Sequence, residues 1–317
     1  MSFDFDVAVS APFRMQPGLR RLAEGAAHLT PLMPGGRHQR EKLAVLSAFA
    51  DQALCTVDGF DPGPALEALA RQAAREHPDA WRWDAGRADA LRLGTSVDAG
   101  GEVHVGQAGA FGLGDEIARC IRPLPPAWRL PALFALAFAE DLAIVDGANG
   151  QVPWMAVTLP SHWAPEDKVG RHFTQIHAPV ADGDAIRRAA DALVALVTGS
   201  DRWERFVWNV SAHPRLHAHP RRTPREAWGR GAADALPSSA WWRTERQTFL
   251  PVPGQSQALF TIAVDTRPLA EAIDTPDRAR RLHQAIASMS PAVLAYRGLA
   301  PVRDRLLGWL AARSSVA

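Results

Sequence analysis

The chain has 317 residues, of which 47% are hydrophobic and 22% are charged, and its formal net charge is +1 at pH 7. These values are typical of an ordinary globular chain of one or two domains with a substantial core. The near balance of 35 basic and 34 acidic residues argues against nucleic-acid binding by the whole chain.

The sequence also bears on location and on redox chemistry. No apolar run approaches the roughly eighteen residues that a membrane helix requires, and the acidic start lacks the basic region of a secretory signal. We therefore expect a cytoplasmic protein with no membrane partner. The two cysteines, Cys55 and Cys120, lie far apart and in no C-x-x-C arrangement, so neither a disulfide framework nor a thiolate zinc site is expected.

Apolar residues at helical spacing predict two helices in the first third of the chain, over 38–54 and 64–77. The intervening VDGFDPGP predicts a turn, because its glycines and prolines interrupt a helix. A third, strongly apolar helix is predicted over 130–146 and ends at the glycine-rich GANGQVP. Residues 1–150 are thus expected to form a helix-rich region that packs on the remainder.

From Pro153 onward the pattern changes to short segments rich in aromatic and β-branched residues, which predict strands. These segments are VPWMAVTL, RFVWNVS, WWRTERQTFLPV and QALFTIAVD, and the PGQS between the last two predicts a hairpin. Amphipathic helices are predicted over 182–198, 275–289 and 300–312, with an N-cap at Asp274 or Thr275. The predicted fold is α+β, with a mainly antiparallel sheet in 151–317 flanked by N-terminal and C-terminal helices, as two regions or as one continuous domain.

His177 is the leading candidate for a metal ligand. Ile176 precedes it and Ala178-Pro179-Val180 follow, so the ring lies on a stiff, mostly apolar segment. A neutral imidazole in such surroundings is a good ligand for iron or zinc. Because six of the eleven histidines lie between His162 and His219, we expect the middle of the chain to hold the site.

Several motifs, taken in order, resemble one family, the alpha subunit of heme-dependent oxidative N-demethylase. They are LPSHW (159–163), KVGR (168–171), IHAPV (176–180), RTERQTF (243–249) and LFTI (259–262). The resemblance covers roughly 150–265 well and extends more weakly to APFRMQPGLRRL, REKL, EDLAIV and YRGLA. The sequence departs from the family pattern at 208–210 and at 263–265, which bears on the substrate.

The resemblance implies a PAS-like sheet that holds heme b and a monooxygenase-type reaction. In that reaction O2 removes a methyl group from a small amine and formaldehyde is released. Electrons would come from NADPH through separate flavin and ferredoxin-type reductase subunits. The glycine-rich segment 106–115 lacks the G-x-G-x-x-G spacing, so we do not expect this chain to bind NADPH itself.

A heme site needs a neutral, apolar-packed axial histidine and basic partners for its propionates. His177 is the predicted axial ligand, and no catalytic residue is identified. The basic residues of the matched motifs are the predicted propionate partners: Lys168, Arg171, Arg243 and Arg246. The predicted aromatic walls of the cofactor cavity are Trp163, Trp154, Trp208 and Phe260.

Four alternatives stay open at this point. His213, His217 and His219 form an H-x3-H-x-H pattern that zinc sites also use, although two prolines interrupt it. The basic stretch 213–230 is a candidate for docking a phosphate or a partner. The whole chain is alternatively a non-catalytic heme or gas sensor, or a heme-free small-molecule-binding protein. Ser161-His162 does not indicate a hydrolase, because no G-x-S-x-G motif accompanies it.

Overall fold

The computed structural model describes residues 3–106, 112, 114–225, 228 and 236–315. Within these ranges the chain is α+β, as predicted, and contains a seven-stranded and a four-stranded sheet, both antiparallel. No helix in the same ranges has the length and apolar character needed to span a bilayer. Much of the glycine-rich segment 106–115 and part of the basic stretch, including Arg230, lie outside the described residues.

The helices are numbered in chain order. They are α1 Phe5–Ala8, α2 Arg37–Ala48, α3 Ala50–Ala53, α4 Gly63–Glu76, α5 Glu116–Ile121, α6 Pro126–Ala137, α7 Phe173–His177, α8 Asp184–Arg188, α9 Ala190–Val197, α10 Leu236–Ser239, α11 Leu269–Ala272, α12 Pro276–Ala287, α13 Pro291–Tyr296 and α14 Arg303–Ser314. The strands are β1 Arg20–Arg21, β2 Leu54–Thr56, β3 Trp81–Asp84, β4 Arg87–Ala90, β5 Thr95–Val97, β6 Val103–Val105, β7 Glu140–Asp146, β8 Trp154–Ala156, β9 Trp203–Ser211, β10 Trp241–Pro251 and β11 Gln257–Pro268.

The larger sheet has the strand order β1-β9-β10-β11-β7-β8-β2. Side chains alternate between its two faces. The face called here the site face carries Arg205 and Val207 of β9, Glu245 and Gln247 of β10, and Phe260 of β11. The opposite face is covered at one end by α2, α4 and α6 and at the other by α12 and α14.

The site face is covered incompletely. Val194 and Val197 of α9 pack in one apolar cluster with Phe249 at one end of the face. In the middle of the face, by contrast, Val207 and Gln247 remain half-buried. Loops and short helices therefore border a stretch of the sheet whose side chains are only partly covered, and this stretch positions the candidate site.

The structure confirms most of the predicted elements. The β10–β11 hairpin forms with Phe249 opposite Phe260. The helix predicted over 64–77 is α4, and the Thr275 hydroxyl caps α12 by accepting a hydrogen bond from the backbone N–H of Arg278 at 3.2 Å.

Two predictions in the first half of the chain are wrong. The helix predicted over 130–146 ends at Ala137, and Glu140–Asp146 is instead a strand buried between β11 and β8. A continuous apolar run does not show helical or strand periodicity, so the pattern could not separate the two. The helix predicted over 38–54 forms as α2 and α3 with a break at Phe49, and it is wrong at its last residue, Leu54, which begins β2. The small sheet β3–β6 was not predicted.

Candidate functional site

The helix that carries His177 is anchored to the turn between β7 and β8. The backbone N–H of Phe173 donates to the Gly150 carbonyl at 2.8 Å. His172 caps the helix, because its Nδ1 accepts from the backbone N–H of Thr174 at 3.2 Å. This short helix thus takes its position from the β7–β8 hairpin, which lies near one edge of the large sheet.

The His177 ring has one nitrogen occupied and one free. Its Nδ1 lies 2.8 Å from the carbonyl oxygen of Phe173. Since a carbonyl only accepts, Nδ1 carries the hydrogen and Nε2 keeps its lone pair. Burial lowers the His177 pKa to about 4, with the charges of Arg205 and Lys168 acting in the same direction. The half-buried ring is therefore neutral at pH 7, and Nε2 is available to a metal.

Lys168 and Trp163 lie beside the same helix. The Lys168 ammonium donates to the Ile176 carbonyl at 3.1 Å and lies 5.5 Å from the centre of the Trp163 ring. Burial lowers the pKa of Lys168. Trp163 and Phe260 of the site face both pack against the same two apolar clusters. Of the predicted site residues, Lys168 and Trp163 are thus the two that lie close to His177.

Arg171 and Arg246 do not lie close to His177. Arg171 is exposed and donates from Nε to the Asp167 carbonyl at 2.5 Å. Arg246 projects from the face opposite the site face, where it pairs with Glu204 at 3.1 Å and donates to the Ala27 carbonyl at 2.8 Å.

Arg243 is on the site face but is engaged within the protein. It is only 2% exposed, and its guanidinium donates to Ser161 Oγ at 2.8 Å and to the carbonyls of Arg215 and Leu216 at 2.9 and 2.8 Å. Its pKa is lowered to about 10 by burial, against the opposing charge of Glu245. Arg243 therefore joins the LPSHW segment to the loop after β9.

Sequence reasoning missed Arg205. This residue is on β9 opposite Gln247, and its Nε is buried without a hydrogen-bond partner among the described residues. Burial lowers its pKa, which the charges of Glu245 and Tyr296 oppose. The alternation in WERFVWNVS was the available signal, because it places Arg205 on the same side as Trp203 and Val207.

Two of the four predicted aromatic walls face away from the site. Trp154 belongs to the core under α6, where it stacks on Trp128 with ring centres 5.2 Å apart. Trp208 stacks on Trp242 at 5.1 Å beneath the C-terminal helices. Strand alternation sends both rings to the opposite face, so the prediction is wrong for these two.

The three histidines of the H-x3-H-x-H pattern have different partners. His217 Nδ1 is 2.7 Å from the Thr158 carbonyl, whereas His219 Nε2 is 3.1 Å from a carboxylate oxygen of Glu166. The His213 ring meets that of His162 edge to face, with centres 5.4 Å apart. The described residues contain no group of three or more His, Cys, Asp or Glu side chains placed to hold a metal ion. The zinc alternative thus finds no support in these parts of the chain.

The basic stretch makes contacts within the protein. The Arg222 guanidinium lies 3.5 Å from the centre of the Phe49 ring, and Arg225 donates to the His162 carbonyl at 2.9 Å. Arg221 is 3.6 Å from Glu166. These contacts favour a structural role for the described arginines over a docking role.

The two segments that depart from the family pattern, 208–210 and 263–265, contribute few side chains to the site face. In each segment strand alternation directs one residue toward that face, Asn209 and Val264, and the others away from it. Asn209 donates from Nδ2 to the Arg297 carbonyl at 3.0 Å, and Val264 is 1% exposed.

Residues 125–307 match one family model, described as haem-dependent oxidative N-demethylase, alpha subunit-like. The matched range begins at the start of α6 and ends within α14. It contains every strand of the large sheet except β1 and β2, together with His177, Lys168 and Arg205.

Proposed function

Since the chain belongs to the haem-dependent oxidative N-demethylase, alpha subunit-like family, we propose that it is the heme-binding subunit of an oxidative N-demethylase. The observation that carries the proposal is the state of His177. Its Nδ1 hydrogen is used by a backbone carbonyl, its ring is neutral at pH 7, and Nε2 is left for the iron of heme b.

The surroundings of His177 fit a large, flat, partly apolar cofactor. Trp163 and Phe260 supply aromatic surface, and Val207 and Gln247 in the middle of the site face are only half-buried. Lys168 is the proposed propionate partner at the helix side. Arg243 is instead assigned a positioning role, because its donors hold the two loops that flank the site. Arg171 and Arg246 receive no contact to the cofactor in this proposal.

The strand order supports a PAS-like fold for the core. Counting β7, β8, β9, β10 and β11 as strands one to five, their spatial order is 2-1-5-4-3. Helices α7–α9 form the connection between the second and third of these strands and pack on one face of the sheet. This order and connection are those of PAS-like sheets, and we propose that residues 151–317 together with β7 make up the heme-binding core.

Bound heme would supply the redox centre that activates O2. The chain itself would hold a small amine against aromatic side chains such as Trp163, by shape and by attraction between the cationic nitrogen and the ring. We propose that a methyl group leaves as formaldehyde. Electrons would come from NADPH through separate flavin and ferredoxin-type subunits, in keeping with the family's description as an alpha subunit. We also propose that the protein acts in the cytoplasm.

The absorption spectrum of the purified protein, after growth with a heme precursor, tests cofactor binding. We expect a Soret band at stoichiometric occupancy, which His177→Ala strongly reduces or shifts. His213→Ala is the matched control, because it removes a buried imidazole away from the site and should leave the band unchanged. Absence of the band in the wild-type protein would favour the heme-free alternative and refute the proposal.

Turnover requires a separate measurement. Oxygen consumption and formaldehyde release are followed over a panel of secondary and tertiary amines, with a chemical reductant in place of the partner subunits. We expect at least one small amine to stimulate both signals in the wild-type protein. A heme-loaded protein that binds gases but consumes no oxygen with any amine would instead be a sensor.

A further inference from the structure

Arg205 is an unusual residue for the middle of a sheet. It is half-buried on the site face of β9, and its Nε lacks a hydrogen-bond partner among the described residues. A buried donor without a partner is destabilising, and a guanidinium is more so because it also carries charge. Such a group is retained when it serves a ligand, so Arg205 indicates a binding role.

No acidic side chain forms an ion pair with Arg205 within the described part of the chain, and the charge of Glu245 acts on it only from a longer distance. Glu245 is on the same face, but its Oε2 accepts a hydrogen bond from Gln247 at 2.6 Å, and no ion pair joins Glu245 to Arg205. A guanidinium that has a buried Nε without a partner and no ion pair among the described residues is a group with which an anion can pair.

Tyr296, the single tyrosine of the chain, borders the same region. Asn209 is on the same face of β9 as Arg205 and donates to the carbonyl of Arg297, which holds the end of α13 over this strand. Arg225 lies 5.1 Å from the centre of the Tyr296 ring and links it to the His162 carbonyl. Tyr296 directly precedes Arg297, so the hydrogen bond from Asn209 brings it next to the face of β9 that carries Arg205.

We propose that Arg205 and Tyr296 form a subsite that binds a carboxylate or a comparable small oxyanion. The guanidinium supplies charge-assisted hydrogen bonds and the phenol supplies a neutral donor. The carboxylate has two sources. One is a propionate of bound heme, and for this source the inference rests on the proposed function. The other source is the carboxylate of an independent small ligand.

Hemin and its dimethyl ester, in which both propionates are blocked, test this subsite by titration of the heme-free protein. The wild type should bind hemin more tightly than the ester. Arg205→Leu should weaken hemin binding about tenfold or more and leave ester binding nearly unchanged, because charge-assisted hydrogen bonds are lost. Tyr296→Phe should produce a smaller loss of the same kind, and Arg205→Lys a partial one. Arg202→Leu is the matched control, since this neighbouring arginine is exposed.

Titration with acetate and benzoate distinguishes the second source. If Arg205→Leu leaves hemin affinity unchanged but abolishes the binding of these carboxylates, the subsite serves an independent ligand. Unchanged affinity for hemin and for both carboxylates in a folded Arg205→Leu variant would overturn the proposal. If the wild type binds no heme at all, the proposed function fails, and carboxylate binding to the heme-free protein then decides the subsite alone.

The melting temperature of Arg205→Leu distinguishes a binding role of Arg205 from a structural one. Arg205→Leu removes a buried, unpaired charge, so the heme-free variant should melt at the same temperature as the wild type or higher. A structural role would instead lower the melting temperature. A variant that is at least as stable and yet loses carboxylate recognition supports the subsite, whereas a marked loss of stability with unchanged recognition refutes it.

Discussion

The ammonium of Lys42 lies 3.0 Å from Oδ1 of Asp141, and the two side chains are 0% and 1% exposed. This ion pair joins α2 to β7 in the interior. Asp141 also accepts hydrogen bonds from Thr158 Oγ1 at 2.7 Å and from the backbone N–H of Leu159 at 2.6 Å. It therefore fixes the start of the segment that leads to Trp163, and so connects the REKL and EDLAIV motifs to the site.

Removal of one member of this pair should be strongly destabilising. Lys42→Met leaves a buried carboxylate without its counter-ion, and we expect a loss of about 3–5 kcal/mol in the free energy of unfolding. Urea denaturation measures the loss. The control is Arg71→Met, which removes an exposed pair with Glu67 on α4 and should change stability by at most about 1 kcal/mol. Equal effects of the two substitutions would contradict the role given to the buried pair.

Arg243 should be essential for the shape of the site although it does not reach the cofactor in our proposal. Arg243→Lys keeps the charge but loses the fork of donors that holds Ser161 and Leu216, so we expect about 2–4 kcal/mol of destabilisation. Thermal and urea unfolding give this value. The exposed Arg267 on β11 is the control, and Arg267→Lys should be nearly neutral. Full stability of Arg243→Lys would show that the loops need no such support.

Stability should decrease in mildly acidic solution because of His162 and His213. Burial, followed by the charge of Arg243, lowers their pKa values to about 3 and about 4 from 6.5. Below pH 6.5 the unfolded chain binds protons that the folded protein does not, so the free energy of unfolding should fall as pH decreases from 6.5 toward 4. Above pH 6.5 both states are neutral, and this contribution to stability is fully present.

Urea denaturation from pH 7 to pH 4 tests the effect. His213→Leu should partly flatten the pH dependence, because it removes one of several buried histidines whose pKa is lowered, among which are His162 and His177. His283→Gln is the control, since this half-buried α12 side chain makes no hydrogen bond or ion pair within the described residues and its loss should leave the slope nearly unchanged. An identical slope in wild type and His213→Leu would rule out the buried ring as a source of the acid sensitivity.

Gly150 offers a test of how α7 is positioned. Its φ is +68°, and an added Cβ would lie 2.4 Å from Nε2 of His172, the residue that caps α7. Gly150→Ala should therefore reduce both stability and hemin affinity. Gly254→Ala is a matched control at φ +73° with no atom within 4 Å of the new Cβ, and it should cost about 1–2 kcal/mol of stability without affecting hemin affinity. Parallel losses of hemin affinity in both variants would refute the link between Gly150 and the site.

The secondary-structure elements with the clearest local sequence patterns are the ones that the sequence predicts correctly. Strands β9, β10 and β11 alternate clearly and were predicted, whereas β7 is buried on both sides and looked like a helix. For the site, proximity of Arg243 and Arg246 to a motif was a poor guide, because residues three apart on a strand point to opposite faces. Applied to β9, strand alternation places Arg205 on the site face. The position of Tyr296 depends on how the C-terminal helices dock, which no local pattern contains.

The chain order of the site residues has a consequence for biosynthesis. His177 lies in the crossover after β8, Arg205 on the next strand, Phe260 on the last strand and Tyr296 in a helix beyond it. A ribosome that has released only the first two-thirds of the chain has therefore exposed the proposed axial ligand but not the strands β10 and β11, on which the cofactor would rest. Heme binding would then follow synthesis of the whole chain. The heme absorption band would appear only after all strands of the large sheet have paired.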